Sequence, residues 1–166
     1  MKIGIFFGST TGTCEALASK IAAEIGVGSA DVHNVTELNE AMVADYEMLV
    51  LGSSTWGCGD LQDDWYDGLS LLKNMDLKGK KIALFSCGDS SSYSDTFCNA
   101  MGTMYDDLQS TGALFIGTGV STGGYTFDDS TAVRDGLFVG LALDEVNEDF
   151  KTDERIKSWV HNILSL

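Results

Sequence analysis

Short apolar runs alternate with amphipathic stretches along this chain, and this alternation restricts the possible fold more than any other feature. The predicted strands are these runs, at residues 3–7, 32–35, 48–51, 81–85 and 113–116. Continuous apolar runs are typical of parallel strands buried on both faces, which need helical crossovers between them. The sequence therefore predicts an α/β fold with three layers, in which a doubly wound sheet of five parallel strands has helices on both faces.

Helical periodicity fills the intervals between the predicted strands. Apolar residues recur three or four positions apart within 17–25, 65–72, 97–108 and 156–164. A shorter helix is predicted to begin near Asn39, whose side chain suits an N-terminal cap. These five helices complete the βα alternation that a doubly wound sheet requires.

One segment interrupts this alternation before the last helix. About 35 residues separate the fifth predicted strand from that helix, which is long for a loop in a compact domain. We interpret 117–136 as an insertion at the edge of the sheet without direct chemistry, after which 137–139 resumes the edge strand. Repeats and linkers are absent from the sequence, so we expect residues 1–166 to form a single domain.

Charge is the unusual feature of the composition. Twenty-five Asp and Glu against 10 Lys and Arg give a net charge of −15, whereas the 44% of hydrophobic residues is close to the globular average. Such a chain lacks the cations that neutralise nucleic-acid phosphates or attract a protein to anionic membranes. We therefore expect neither a nucleic-acid nor a membrane partner, and we expect protein partners to be basic.

The four cysteines show neither metal-site nor disulfide spacing. They are Cys14, Cys58, Cys87 and Cys98, without a CxxC pair and without a neighbouring His. The N-terminal apolar stretch is too short for a signal peptide, and the run at 137–143 is too short to cross a bilayer. We expect a reduced, monomeric protein of the cytoplasm.

The loop after the first strand is a candidate anion site, because doubly wound sheets bind ligands beyond the carboxyl ends of their strands. Residues 8–15 read Gly-Ser-Thr-Thr-Gly-Thr-Cys-Glu and lead into the first helix. Hydroxyls and free N–H groups at a helix N-terminus can bind an anion without Lys or Arg. The loop matches neither the dinucleotide nor the P-loop pattern. A phosphate monoester fits it best, and a simple Ser/Thr-capped helix start is the alternative.

The loops after the third and fourth strands each contain one large aromatic residue among small polar ones. Trp56 lies within 53–60 and Tyr93 within 86–95. Taken singly, Trp56 could fold back over the third helix, and Tyr93 could be an ordinary surface residue. Taken together, the three loops offer an anion site and two aromatic surfaces at one edge of the sheet. That combination suits a planar aromatic ring that carries a phosphate.

Three other functions of related folds are excluded by the same loops. A receiver domain needs acidic residues at the ends of strands one and three, where this chain has Gly-Ser-Thr and Gly-Ser-Ser. A small tyrosine phosphatase needs Cys-x5-Arg, and none of the cysteines has Arg six positions later. A NAD-dependent dehydrogenase needs the GxGxxG pattern, which the first loop lacks.

The chain resembles the flavodoxin family, in its long-chain form, over essentially its whole length. The similarity rests on the loop at 5–15, on Thr55-Trp56-Gly57, on Gly88 to Tyr93, on the segment 122–144 and on the final helix around Trp159. The resemblance implies a flavodoxin-like sheet with strand order 2-1-3-4-5. It also implies that 117–136 is the insertion that splits strand five in the long-chain form.

The resemblance further implies a non-covalent FMN site at the three loops. The loop 9–13 would hold the phosphate, Thr55 would meet the ribityl chain, and Trp56 and Tyr93 would stack on the inner and outer ring faces. Cys14 stands where the family usually has Thr, and a thiol is a poor donor, so the main-chain N–H alone would serve the phosphate there. The predicted cofactor-binding residues are Ser9, Thr10, Thr11, Gly12, Thr13, Cys14, Ser54, Thr55, Trp56, Gly57, Cys58, Gly59, Cys87, Gly88, Asp89, Tyr93, Asp95, Thr96 and Phe97.

The function implied by the resemblance is low-potential electron transfer, one electron at a time, with FMN shuttling between semiquinone and hydroquinone. Neither a catalytic residue nor a metal is expected. The expected partners are basic redox proteins, namely a reductase that acts on flavodoxin or ferredoxin, and a low-potential acceptor. The alternative is an FMN-dependent quinone or NAD(P)H oxidoreductase on the same fold. Tyr93 disfavours that alternative because an outer aromatic ring would block hydride delivery.

Gly57 follows Trp56 where the family's backbone reorients to accept a hydrogen bond from reduced flavin. Glycine makes this reorientation easy because it tolerates positive φ. Replacing Gly57 with Val is expected to lower the stability of the semiquinone, measured as the separation between the two one-electron potentials. Unchanged potentials would contradict this role.

Overall fold

The computed structural model describes residues 1–56 and 58–165. The strands are β1 (Ile3–Gly8), β2 (Val32–Asn34), β3 (Met48–Trp56), β4 (Asp60–Leu61), β5 (Lys81–Cys87), β6 (Leu114–Ile116), β7 (Val120–Ser121), β8 (Val133–Arg134), β9 (Leu137–Phe138) and β10 (Leu141–Leu143). The α-helices are α1 (Thr13–Ile25), α2 (Glu40–Asp45), α3 (Trp65–Lys73), α4 (Asn99–Asp107) and α5 (Thr152–Leu164).

The main sheet has the predicted topology. Its strands lie in the order β10-β5-β3-β1-β2 and pair in parallel, which is the predicted order 2-1-3-4-5 counted from the β2 edge. The fifth position is shared by two short strands, because β6 pairs with the first half of β5 and β10 with the second half. The segment 117–140 leaves the edge of the sheet between them, and we call it the inserted segment.

The predicted return to the edge strand at 137–139 is wrong. β9 pairs in antiparallel fashion with β7 and β8 in a separate three-stranded sheet, and the main sheet resumes only at Leu141. Gly140 lies at the crossing between the two sheets. A Cβ added there would lie 2.3 Å from the Leu84 carbonyl oxygen and 2.7 Å from the Met101 sulfur. The chain therefore reaches the main sheet through a close approach that requires a residue without a side chain.

Side chains alternate across the main sheet and fill two cores. Phe6 and Leu84 face the core that includes α3 and α4, whereas Ile5 and Phe85 face the core under α1 and α5. Trp65 is fully buried at the start of α3, and its indole N–H donates to the Gly52 carbonyl oxygen at 2.7 Å. This bond fixes α3 against the centre of the sheet, near the carboxyl ends of its strands.

Gly140→Ala is expected to destabilise the protein by about 1–3 kcal/mol, because the new methyl group would collide with a main-chain oxygen. Urea unfolding followed by circular dichroism measures the free energy of unfolding. Gly28→Ala is the matched control, since among the described residues nothing beyond its chain neighbours lies within 4 Å of an added Cβ. Its expected change is within about 0.5 kcal/mol. Equal unfolding midpoints for the two variants would contradict the packing explanation.

Candidate functional site

Three loops leave the main sheet side by side at its carboxyl edge. We call them the first loop (9–12), the second loop (56–60) and the third loop (88–97). The strand register places Gly8 opposite Ser53 and Ser53 opposite Ser86. The Ser86 hydroxyl donates to the Ser53 carbonyl oxygen at 2.7 Å and lies 3.1 Å from the Thr55 hydroxyl. The strand ends are thus tied together, and the structure brings the three predicted loops to one edge.

The first loop forms a cradle at the N-terminus of α1. Gly12 adopts a left-handed conformation with φ of 92°, and its N–H donates to the Ser9 hydroxyl at 3.1 Å. Among the described residues, no side chain caps α1, so the N–H groups of its first turn keep their capacity for an external acceptor. Thr10 and Thr11 are exposed, and Ser9 and Thr13 are half-buried. The helix dipole favours an anion here although the loop contains no cation.

Cys14 directs its thiol into the protein rather than toward the first loop. The side chain is fully buried. A hydrogen bond with the Cys87 thiol, together with burial, raises the pKa of the Cys14 thiol well above its ordinary value. Burial and the raised pKa keep this thiol protonated and shielded from solvent. Of the polar groups of Cys14, only the main-chain N–H is placed to meet an anion at the start of α1.

The second loop presents Trp56 to solvent. Trp56 ends β3, and its side chain is 39% exposed, with the indole N–H donating to the Ser54 hydroxyl at 2.7 Å. This exposure disfavours the alternative in which Trp56 folds over α3, and the fully buried Trp at the start of α3 is Trp65. The Gly59 N–H donates to the Trp56 carbonyl oxygen at 3.0 Å and closes a tight turn in which Cys58 is exposed. Gly57 lies outside the described residues.

The third loop begins with a compact turn built on Asp89. The Asp89 carboxylate accepts main-chain hydrogen bonds from Ser92 at 3.0 Å and Ser91 at 3.1 Å, and the Tyr93 N–H donates to the Asp89 carbonyl oxygen at 2.9 Å. The Ser92 N–H, followed by the Asn147 side chain and the Ser91 N–H, lowers the pKa of the Asp89 carboxyl. The turn projects Tyr93, which is 54% exposed. Tyr93 and Trp56 are thus exposed aromatic residues on adjacent loops.

The end of the third loop is anchored by the inserted segment. The ring of Phe97 is buried and lies 5.4 Å from that of Phe127 and 6.2 Å from that of Phe138. Its N–H donates to the Asp129 carbonyl oxygen, and its carbonyl oxygen accepts from the Ser130 hydroxyl. Phe97, one of the predicted cofactor residues, therefore packs in the core. Asp95 remains exposed and Thr96 half-buried, whereas Cys87 is buried at the end of β5.

Gln62 links the first and second loops, a role that the sequence pattern did not indicate. Its side chain is buried and donates to the Thr10 hydroxyl at 3.2 Å and to Asp64 at 3.0 Å. Its main-chain N–H donates to the Ser53 hydroxyl at 3.1 Å. A Cβ added to Gly8 would lie 2.5 Å from the Gln62 amide oxygen. The only sequence signal was a polar residue between the apolar Leu61 and the start of a helix.

Carboxylates surround the second loop and the start of α3. Asp60, Asp63 and Asp67 are exposed, and Asp64 is half-buried. The ion pairs found within residues 1–56 and 58–165 involve other carboxylates. We call Asp60, Asp63, Asp64 and Asp67 the acidic rim. Three of these four side chains are exposed, and Asp60 lies opposite Trp56 in the pairing of β3 with β4.

Comparison with known proteins agrees with this architecture. The model of the family described as flavodoxin matches residues 5–159. A flavodoxin of Nostoc sp. is 42% identical over 164 residues, covering 99% of this chain and 96% of its own. Flavodoxin 1 of Azotobacter vinelandii is 43% identical over 163 residues, covering 96% and 93%. A crystal structure of Fusobacterium nucleatum flavodoxin bound to flavin mononucleotide superposes with a TM-score of 0.89 at 29% identity, covering 99% and 98%.

The fold, the three loops and these matches together define the class, and the chain belongs to the flavodoxin family. Flavodoxins are electron-transfer proteins rather than enzymes. Within the described residues, no helix is long and apolar enough to span a membrane. The same part of the chain contains no group of three or more His, Cys, Asp or Glu residues arranged to hold a metal ion.

Thiol labelling of the folded protein tests the placement of the cysteines. Cys58 is exposed, whereas Cys14, Cys87 and Cys98 are buried. Burial raises the pKa of the Cys98 thiol, so it remains protonated and unreactive at pH 8. A disulfide reagent at pH 8 is expected to modify one thiol rapidly and the other three only after denaturation. Cys58→Ser should abolish the rapid phase, and a second rapid thiol in this variant would contradict the assignment.

Proposed function

We propose that this chain binds FMN non-covalently at the three loops and carries electrons one at a time between redox proteins. The observation that carries the proposal is the juxtaposition of an uncapped helix N-terminus with two exposed aromatic residues at the edge defined by Gly8, Ser53 and Ser86. The FMN-bound Fusobacterium flavodoxin supports it through a TM-score of 0.89. The whole of 1–166 would be one FMN-binding domain.

The first loop fits a phosphate group. The N–H groups at the start of α1 and the hydroxyls of Ser9, Thr10, Thr11 and Thr13 would donate to its oxygens. Gln62 donates to the Thr10 hydroxyl and the Gly12 N–H donates to that of Ser9, so two of these four hydroxyls are already held in place. The loop contains no Lys or Arg, so the negative charge of a bound phosphate would not be neutralised there. That remaining negative charge would disfavour the addition of electrons to the cofactor.

The aromatic residues and the third loop fit the ring system. Trp56, held by Ser54, and Tyr93, projected by the turn on Asp89, would flank the ring and exclude water from its faces. Main-chain groups near Asp89, Asp95 and Thr96 would meet its pyrimidine edge. When bound, FMN supplies reversible one-electron chemistry, and the protein tunes it through these contacts and through nearby charge.

The inserted segment supports assignment to the long-chain form. It separates β6 from β10, forms its own three-stranded sheet and buries Phe97. The four cysteines are free thiols, which agrees with a reducing cytoplasmic location. We propose that the protein works there as a monomer.

FMN binding by the cofactor-free protein tests the site. Tyr93→Ala is expected to raise the dissociation constant about tenfold, a change of about 1.4 kcal/mol that is typical of one aromatic contact. Tyr66→Ala is the matched control, because both tyrosines are 54% exposed and Tyr66 lies on α3. Flavin fluorescence follows the titration. Failure of the native protein to take up FMN would overturn the proposed function, and equal constants for the two variants would remove Tyr93 from the site.

Anaerobic stepwise reduction of the FMN-loaded protein separates the carrier from the alternative oxidoreductase. A carrier is expected to accept its two electrons in separate steps and to remain oxidised when NAD(P)H is added alone. Direct bleaching of the flavin in a single two-electron step by NAD(P)H would favour the oxidoreductase instead.

The acidic rim would lower the reduction potential and guide basic partners to the site. Two like charges ~10 Å apart repel by roughly 1.7 kcal/mol at an effective dielectric constant near 20, before salt screening. Several such terms oppose the addition of an electron to a bound cofactor. The charges of the acidic rim would also steer a cationic partner toward Trp56 and Tyr93. A reductase that acts on flavodoxin or ferredoxin is such a partner.

Neutralising the acidic rim tests this steering. The triple variant Asp60→Asn, Asp63→Asn, Asp64→Asn is expected to associate with a basic reductase about tenfold more slowly at low salt and with a flatter salt dependence. The matched control is Glu24→Gln, Glu47→Gln, Asp76→Asn, which removes the same charge from exposed residues at the amino-terminal edge of the sheet. Stopped-flow kinetics measures both. If the two triple variants behaved alike, net charge rather than the rim would explain association.

A further inference from the structure

Asp144 is a fully buried carboxylate at the end of β10 that the FMN site as described does not use. One carboxylate oxygen accepts from the Ser90 N–H at 3.2 Å and from the Ser90 hydroxyl. The other accepts from the N–H groups of Val146 at 3.2 Å and Asn147 at 3.0 Å. None of the ion pairs among the described residues includes Asp144. Because an unbonded buried carboxylate is very unfavourable, these donors are required in the folded protein.

The same segment holds three consecutive residues of the third loop. The Gly88 N–H donates to the Leu143 carbonyl oxygen at 3.0 Å, next to the Ser90 bonds with Asp144. The Asn147 side chain donates to the Asp89 carboxylate at 2.8 Å and also to both oxygens of Asp144. Hydrogen bonds to residues 143–147 therefore hold the turn that projects Tyr93.

We propose that Asp144 is a positioning residue for the third loop, which sets FMN affinity and the one-electron potentials without touching the cofactor. The inference rests on the proposed function, since it needs FMN at the third loop. Ser90 lies between Asp89 and Tyr93, so the bonds that fix Ser90 also fix the direction in which Tyr93 leaves the turn. Three main-chain N–H groups donate to Asp144 in addition to the side chains of Ser90 and Asn147, so the arrangement does not depend on one flexible side chain.

Asp144→Asn is the informative substitution because it preserves size and removes one acceptor. An amide has one oxygen, so its NH₂ group must face either the Ser90 N–H or the N–H groups of Val146 and Asn147. In the first case the Ser90 N–H loses its partner. In the second case the turn that carries Asn147 loosens, and with it the bond to Asp89. Either orientation releases one attachment of the third loop.

The control must lose stability without disturbing this loop, and Tyr46→Phe provides that. The Tyr46 hydroxyl donates to Asp31 at 2.9 Å and lies 2.9 Å from a His33 ring nitrogen. Tyr46 is buried just before β3 begins, at the opposite edge of the sheet from the three loops. Removal of the Tyr46 hydroxyl therefore shows how the loss of a hydrogen bond distant from the three loops affects stability.

The experiment compares the native protein, Asp144→Asn and Tyr46→Phe. In the FMN-free proteins, amide hydrogen exchange of residues 89–93 should be at least tenfold faster in Asp144→Asn and unchanged in Tyr46→Phe. In titrations, Asp144→Asn should bind FMN at least tenfold more weakly, and its one-electron potentials should shift while those of Tyr46→Phe do not. Ser90→Ala keeps the main-chain bond to Asp144, so its amide exchange and its FMN dissociation constant should change only two- to threefold, in the same direction. This variant replaces Asp144→Asn in the test if Asp144→Asn does not fold.

The outcomes distinguish this proposal from the proposed function. Lack of FMN binding by the native protein would overturn the proposed function and the role of Asp144 with it. If the native protein binds FMN, but Asp144→Asn and Ser90→Ala match Tyr46→Phe in exchange, affinity and potentials, the positioning role is wrong and Asp144 acts only in stability.

Discussion

The site depends on the register of three parallel strands. Gly8, Ser53 and Ser86 lie at the same level, so the first, second and third loops all begin at one edge. A slip of one residue in any strand would move its side chains to the opposite face. Burial of both faces prevents that slip, because each strand carries apolar residues for two separate cores. The placement of the first loop and of the two exposed aromatic residues therefore depends on the packing of the sheet as much as on loop sequence.

The small size of the residues at this edge is part of the same constraint. Gly8 has no room for a side chain because Trp65 and Gln62 approach its Cα, and the Trp65 indole reaches the Gly52 carbonyl oxygen. These contacts bring α3 and the second loop close to the first. A larger residue at position 8 would separate the cradle from Trp56, so the two parts of the site are coupled through packing under them.

The sequence was informative where one local signal dominated. Apolar runs located β1, β2, β3, β5 and β6, and Trp56 and Tyr93 were recognisable as large residues in small polar loops. It was uninformative where the structure depends on contacts distant in sequence. The run 137–143 contains no polar side chain, yet it is divided between two sheets at Gly140, which lies close against Leu84 and Met101. Phe97 looked like part of the site by position, yet its neighbours Phe127 and Phe138 place it in the core.

The polar supports of the loops were the hardest part to predict. Gln62 bonds to Thr10 across a separation of 52 residues, and Asp144 bonds to Ser90 across a separation of 54 residues. Contacts at such separations leave no periodic pattern in the sequence. An isolated Asp or Gln is most often a surface residue, so its type alone carries little information. Complete burial and its hydrogen bonds distinguish Asp144 from the carboxylates of the acidic rim, although all of them are ordinary Asp residues in the sequence.

The packing of the inserted segment limits how this protein can change in evolution. Phe127 stacks on the Phe97 ring, whereas Asp129 and Ser130 form hydrogen bonds with the Phe97 main chain. The Ser94 hydroxyl donates to Asp128 at 2.9 Å. Excising the segment in one event would uncover an aromatic core and remove partners from the third loop. A chain without the segment would therefore need substitutions near Phe97 that cover this core and hold the third loop in another way.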